Sequence, residues 1–252
     1  MKILQILGCL LGLGFGVVQA SEVSAFDAAN EKFSAGDYAG AVAAYEALLE
    51  AEGPSVAVLY NLGNSYQKLG QLGPAILVYE RARMVRPRDG DVVANLALAR
   101  KQAALADEQA QASWVEVFFQ HLSRHEWACL VAGAALVIGV GSLVAAGVRV
   151  WSRALRGSFL AGLSLAVLLM GSGAAALYLR RGEADLGIVL AAEAAVRLSP
   201  FGSAESLGSP GAGRKVRLGQ KSGDFQFVEV PGTSLQGWVS AKEVARILTN
   251  ED

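Results

Sequence analysis

WACLVAGAALVIGVGSLVAAGV, Trp127–Val148, and GSFLAGLSLAVLLMGSGAAALYL, Gly157–Leu179, are two neighbouring runs of 22 and 23 residues without a charge. An α-helix of about 20 residues crosses a hydrocarbon core about 30 Å thick. Each run is therefore long enough to span. The eight residues between them, Arg149–Arg156, suffice only for a tight turn. The pair reads as a helical hairpin, which returns the chain to the side it left. The segments before and after it then share one compartment.

The N-terminus reads as the means of export. Lys2 precedes the apolar run Ile3–Val18, and Val18-Gln19-Ala20 supplies the small-residue cleavage pattern before Ser21. This predicts a secretory signal peptide over residues 1–20. The alternatives are an uncleaved anchor and a lipoprotein signal at Ile6-Leu7-Gly8-Cys9. Starting outside, one helix enters and the next returns, so both flanks fall in the periplasm of a bacterial envelope and the turn 149–156 in the cytoplasm. Arg149, Arg153 and Arg156 in the turn agree with this, while Arg180 and Arg181 after the second run weigh against it. The location expected is a two-pass inner-membrane protein. A net charge of −1 gives no basic excess for nucleic acid. Cys9 and Cys129 are the only cysteines, one in the signal and one in the first span, so no disulfide framework follows.

Between the signal and the hairpin the chain repeats. Gly36 and Gly70, Ala41 and Ala75, and Tyr45 and Tyr79 are each 34 residues apart. A 34-residue period of paired amphipathic helices is the tetratricopeptide (TPR) pattern. The second copy resembles that family through Leu59-Tyr60-Asn61-Leu62-Gly63-Asn64-Ser65-Tyr66, Gly70, Ala75, Tyr79, Ala82 and Pro87. Gly63 and Ala75 are small where helices would cross, and Gly36 and Gly70 end the first helix of each pair. The reading is a TPR domain over residues 21–112: two repeats and a capping helix over Asp91–Gln111 running toward the membrane. The resemblance implies a partner-binding groove lined by Phe26, Asn30, Tyr60, Asn64, Gln67 and Lys101. The competing reading is that Asn30 and Asn64 bond locally inside the stack.

Residues 113–126 form a juxtamembrane stretch with Trp114, Phe118, His121, His125 and Glu126. An interfacial amphipathic helix is expected, His121 and His125 lying one turn apart; a metal site on those histidines is the lesser reading. Inside the hairpin, Ala135/Gly139, Gly141/Ala145, Gly162/Ala166 and Gly171/Ala175 are small pairs that would let the helices approach. Neither run holds an ionisable group of the kind transport needs, so the hairpin reads as an anchor.

After the hairpin, residues 186–248 alternate in short segments. Candidate strands are Leu186–Leu190, Ala195–Leu198, Lys215–Leu218, Phe225–Val230 and Gly237–Ser240, with an end piece at Val244–Leu248. Turn clusters divide them, which predicts a small all-β barrel. Val196–Pro200, Phe225–Val230 and Gly237-Trp238-Val239 resemble the bacterial SH3-like family, with Gly202–Gly213 as an insert. Trp238 is expected in the core, with a groove position as the alternative.

The fold class is thus a multidomain membrane protein: an all-α TPR domain, a transmembrane helical hairpin and an SH3-like barrel. In this order the parts resemble the BatE-type members of the Bat aerotolerance family. The resemblance implies envelope partners: Bat membrane proteins with von Willebrand factor A domains, and a MoxR-type AAA+ ATPase. The functional expectation is a non-enzymatic interaction scaffold needing no cofactor or metal. The exported parts hold no cysteine and no nucleophile–histidine–acid set. The alternative is a cell-wall sensor whose SH3-like domain reads peptidoglycan.

Overall fold

The computed structural model describes residues 25–105, 118–119, 121–147 and 152–248. The signal at 1–20, the lipoprotein alternative at Cys9, Gln111, Trp114 and residues 149–151 of the turn 149–156 lie outside the described residues.

The repeats form antiparallel helix pairs: α1 over 25–34, α2 Tyr38–Glu52, α3 Val56–Lys68, α4 Leu72–Val85 and α5 Gly90–Gln102. Their ends are set locally. Asp37, Ser55 and Asp89 accept from the backbone N–H of Gly40, Val58 and Val92, which satisfies amides the first turn leaves unpaired. Gly36 and Gly70 turn the chain with φ of 81° and 73°, a region open to glycine at little cost. Gly63 passes so close to Tyr79 that a Cβ there would lie 2.4 Å from the ring. Helix α5 ends nine residues before the expected Gln111. Ala104, at φ 58°, turns the chain, and Leu105 drops into the core instead of continuing toward the membrane.

The long helices α6, Arg124–Gly147, and α7, Arg153–Leu179, pack antiparallel. Both are long and apolar enough to cross a membrane. The side chains turned inward on α6 include Trp127, Val131, Ala134, Ile138 and Gly141; those on α7 include Phe159, Leu163, Ala166, Met170 and Gly173. These alternate at three and four residues, the seam of left-handed helix pairs. The helices approach closely at Gly173, where a Cβ would lie 2.5 Å from Val131 Cγ2. The expected pairs are thus corrected in part: Ala166 is at the crossing and Gly141 faces Phe159, but Gly139, Gly162 and Gly171 have open space where a Cβ would go. The small residues that matter are those on the inward heptad positions.

Helix α6 starts at a capping box. Ser123 Oγ accepts from Glu126 N–H, and Ser123 N–H donates to the Glu126 carboxylate at 2.7 Å. The chain therefore turns at 121–123, and the expected continuous amphipathic helix is broken there. His121 lies in the turn and His125 in the first turn of α6, so they do not form a one-turn pair on a single helix. At the other end, Arg180 Nη1 donates to Leu122 O at 2.7 Å and its Nε to Glu183 at 2.9 Å. This ties the end of α7 to the start of α6.

A short 3₁₀ segment, Arg180–Asp185, leads into an antiparallel sheet. Its strands are β1 Leu186–Val189, β2 Val196–Arg197, β3 Ser206–Gly208, β4 Lys215–Ser222, β5 Phe225–Glu229, β6 Gln236–Ser240 and β7 Val244–Arg246, in the order β3-β2-β6-β5-β4-β1-β7. Strand β3 falls inside the stretch read as an insert. The inner face is rich in valine: Val189, Val196, Val216, Val228, Val230, Val239 and Val244, a residue whose branched side chain packs well on a pleated surface.

The helical repeats and the sheet share a core. Ala75, Ile76, Leu77, Tyr79, Leu96, Ala99 and Leu105 form one cluster with Ile188 and Ile247 of the sheet. The stretch Ala75–Glu80 of helix α4 is buried throughout as a result.

Candidate functional site

A polar ladder runs through the helical repeats. Asn30 on α1 accepts at Oδ1 from the Tyr45 hydroxyl of α2 at 2.6 Å and from Asn61 Nδ2 of α3 at 2.9 Å. One period later, Asn64 on α3 accepts from the Tyr79 hydroxyl of α4 at 2.7 Å and from Asn95 Nδ2 of α5 at 2.8 Å. An amide oxygen has two lone pairs, and both are used. Each asparagine thereby joins three helices. Tyr45 and Tyr79 are fully buried, and that burial pushes both phenols up, so they remain neutral donors.

The other expected groove residues gather around the same ladder. The Phe26 ring lies 6.0 Å from that of Tyr45, and Tyr60 lies 6.3 Å from Tyr79. The Tyr60 hydroxyl accepts from Asn95 at 3.1 Å. Gln67 places Oε1 at 3.0 Å from the Tyr79 hydroxyl and donates through Nε2 to Gln102 at 2.8 Å. Lys101 is exposed and joins none of these bonds among the described residues. The structure thus brings Phe26 and Asn30 together through Tyr45, and Tyr60, Asn64 and Gln67 through Tyr79. Sequence reading missed Asn61, Asn95 and Gln102. The first two could have been found, since they too are 34 residues apart.

The asparagines have two ends with different surroundings. Their oxygens hold the stack together, as local bonding would have it. Among the described residues, the buried side-chain polar atoms without a partner are Arg100 Nε and Glu183 Oε2. Neither amide nitrogen of Asn30 and Asn64 has a hydrogen-bond partner among the described residues, and neither is one of these buried unpartnered atoms.

Residues 32–101 match the tetratricopeptide repeat family. The chain carries tetratricopeptide repeats. Such repeats generally mediate protein–protein interaction and are generally not catalytic. No curated protein matches the chain.

The repeats also meet the sheet through an ionic contact. Glu80, 1% exposed, meets Arg83 at 2.9 Å, Lys215 of β4 at 3.3 Å, and Arg100 of α5. Burial would push its carboxyl up. Lys215, Arg83 and Arg100 outweigh that and hold it well below the usual carboxylate range. Beside it, Arg81 donates to Ile247 O at 3.1 Å and Arg246 O at 3.0 Å. Gly73 lets α4 approach the sheet: a Cβ there would lie 2.2 Å from Leu190 O.

Trp238 is not in the core, which corrects the expectation. It alternates along β6 with buried Val239, so it points to the outer face. There it is half-buried and packs edge-on against Phe227, with ring centroids 5.4 Å apart. Its cross-strand neighbour on β2 is Arg197. Gly237 before it approaches β2 closely, a Cβ there lying 2.4 Å from Arg197 O. At the start of α6, His125 Nε2 lies 3.5 Å from Cys129 Sγ. No group of three histidine, cysteine or acidic side chains arranged for a metal occurs among the described residues.

Proposed function

We infer that this chain is a membrane-anchored interaction scaffold whose tetratricopeptide face binds an extended segment of another envelope protein. The observation that carries this is the ladder: amide nitrogens at Asn30 and Asn64, held in place by their own oxygens, are presented at one repeat spacing with Tyr60 and Phe26 beside them. A fixed donor costs a partner little ordering entropy. Among the described residues, no strand of the sheet is hydrogen-bonded to a side chain of the ladder.

The anchor is the α6–α7 hairpin. Outside the heptad seam its apolar side chains are exposed, Leu143 and Leu168 at 75% and 71%. Large exposed apolar surfaces in soluble proteins mark interaction or membrane sites. Insertion as a two-pass hairpin with both flanks in the periplasm satisfies that surface. The sheet is read as an SH3-like barrel. The likeness in domain order to BatE-type proteins supports partners of the Bat and MoxR kind, including von Willebrand factor A proteins. The position of Trp238, on the outer face beside Phe227 and Arg197, favours a second reading in which that surface touches cell wall.

The test compares two variants of the full chain in detergent extracts of membranes. In the double variant Asn30→Asp and Asn64→Asp, the oxygens that accept from Tyr45 and Tyr79 are kept and the free donors are removed. Recovery of membrane partners should fall about tenfold or more, the effect of roughly 1.4 kcal/mol, with melting little changed. Normal recovery would refute the groove. Co-sedimentation with isolated cell wall, abolished by Trp238→Ala, would favour the second reading.

A further inference from the structure

A cleft of about 930 Å³ opens where the helical repeats, the start of α6 and the end of the sheet meet. Its walls are apolar: Leu49 from α2, Met84 and Val85 from α4, and Leu248 after β7. Val85 is 48% exposed, a large apolar side chain with open space before it. The charges at its edge are unequal. Among the described residues, Arg81, Arg124 and His125 line it, against one acid, Glu50. Arg81 is held rigidly by its bonds to the carbonyls of Arg246 and Ile247, while Arg124 and His125 are exposed in the first turn of α6. Trp127, which opens the apolar run, follows two residues after His125. The cleft therefore lies at the level where α6 would leave a bilayer.

We propose that this cleft binds one anionic phospholipid, with its phosphate against Arg124, His125 and Arg81 and the upper part of an acyl chain against Val85, Met84 and Leu248. Basic groups at the membrane boundary attract anionic headgroups, and the apolar wall gives the site a reason to prefer a lipid over a free phosphate. Arg88 pairs with Glu126 at 2.5 Å, so the repeats and α6 are already joined beside the cleft. A lipid bound there would add a further link between them. The proposal rests on the reading of α6 as a membrane helix.

The test uses the purified full chain in neutral detergent, melted with increasing amounts of dihexanoyl phosphatidylglycerol, dihexanoyl phosphatidylcholine or glycerol phosphate. A ligand at ten times its Kd multiplies the folded-to-unfolded ratio about elevenfold. Phosphatidylglycerol should raise the Tm saturably and phosphatidylcholine much less. Arg124→Ala with His125→Ala should abolish that preference. Val85→Trp, which fills the cleft, should abolish the rise for both lipids. Equal effects of the two lipids, an equal effect of glycerol phosphate, or a preference surviving in both variants would overturn the proposal. No bilayer is needed for this measurement, and extraction of native membranes with alkaline carbonate tests insertion separately. A cleft that fails thus leaves the anchor standing, and a chain released by carbonate refutes the anchor itself.

Discussion

Replacing Glu80 by Gln keeps the shape of the side chain and removes its charge. In the native protein that carboxylate is enclosed by Arg83, Arg100 and Lys215. These three cations differ in their access to water. The side chains of Arg83 and Lys215 are 22% and 26% exposed and can turn toward solvent, but that of Arg100 is 10% exposed. Its Nε is already unpaired. The substitution leaves Arg100 with an uncompensated buried charge, and breaking a buried pair in this way costs about 3–5 kcal/mol. The lower end is expected here, because the glutamine oxygen still accepts one hydrogen bond and two of the cations can rehydrate. For a marginally stable protein of about 5–15 kcal/mol this is a large fraction.

The assay is chemical unfolding of the full chain in detergent, with Glu46→Gln as control. Glu46 holds the same repeat position, 34 residues earlier, and is exposed. It accepts from the Tyr66 hydroxyl, a bond the glutamine oxygen can still accept, so the control should lose less than the roughly 0.5–1.5 kcal/mol of a deleted hydrogen bond. The pH dependence gives a second measure. Glu80 has its carboxyl depressed in the folded state, so its stabilisation is complete above the ordinary carboxylate value of about 4.3 and is lost as pH falls through the lower folded value. The Gln variant should be less stable at neutral pH and converge on the native protein in acid. Equal losses for the two variants, or a gap that does not narrow in acid, would refute the argument that Glu80 is an enclosed ionic link to the sheet.

Three further outcomes follow from the packing. Gly73→Ala forces a Cβ to within 2.2 Å of Leu190 O; because that neighbour is backbone, α4 and β1 should separate, and melting should split into two transitions where the native protein shows one. Gly173→Leu overpacks the α6–α7 seam against Val131, with an expected loss of about 1–3 kcal/mol, measured by unfolding in mixed micelles, whereas Gly171→Leu, in open space, should be neutral. Ala104→Gly relieves a left-handed residue and should raise stability by about 0.5–1 kcal/mol, the strain of about 1–2 less the entropy that glycine adds to the unfolded chain.

How far the sequence could be read depended on whether a feature repeats within the chain. The helix pairs, their turn glycines and the ladder tyrosines carry a 34-residue period, and a local pattern that recurs needs no knowledge of distant contacts. The long apolar helices are legible for a similar reason, since length and absence of charge are local properties. What escaped depends on neighbours far along the chain. The choice of Gly173 over Gly171 is set by which face of α7 meets α6. Trp238 looked like core because it is large and apolar, but the strand phase set by Val239 turns it outward. The end of α5 was missed because Ala104 adopts a conformation usually left to glycine, and the compensating gain is the burial of Leu105 beside Ile76 and Ile188.

The two second helices of the repeats show the limit most directly. Ala39, Ala43 and Glu46 on α2 are exposed; at the same repeat positions on α4, Gly73, Leu77 and Glu80 are buried. A repeat taken alone predicts one environment for both helices. The difference arises because a two-repeat stack leaves an apolar face open, and the sheet covers that face on α4. The residues changed accordingly: the alanine at 39 has as its counterpart a glycine that admits the Leu190 carbonyl, and the alanine at 43 a leucine that fills the shared core. Only the glutamate was kept, and it found partners in Arg100 and Lys215. The sheet therefore covers the face of α4 that a two-repeat stack would leave open.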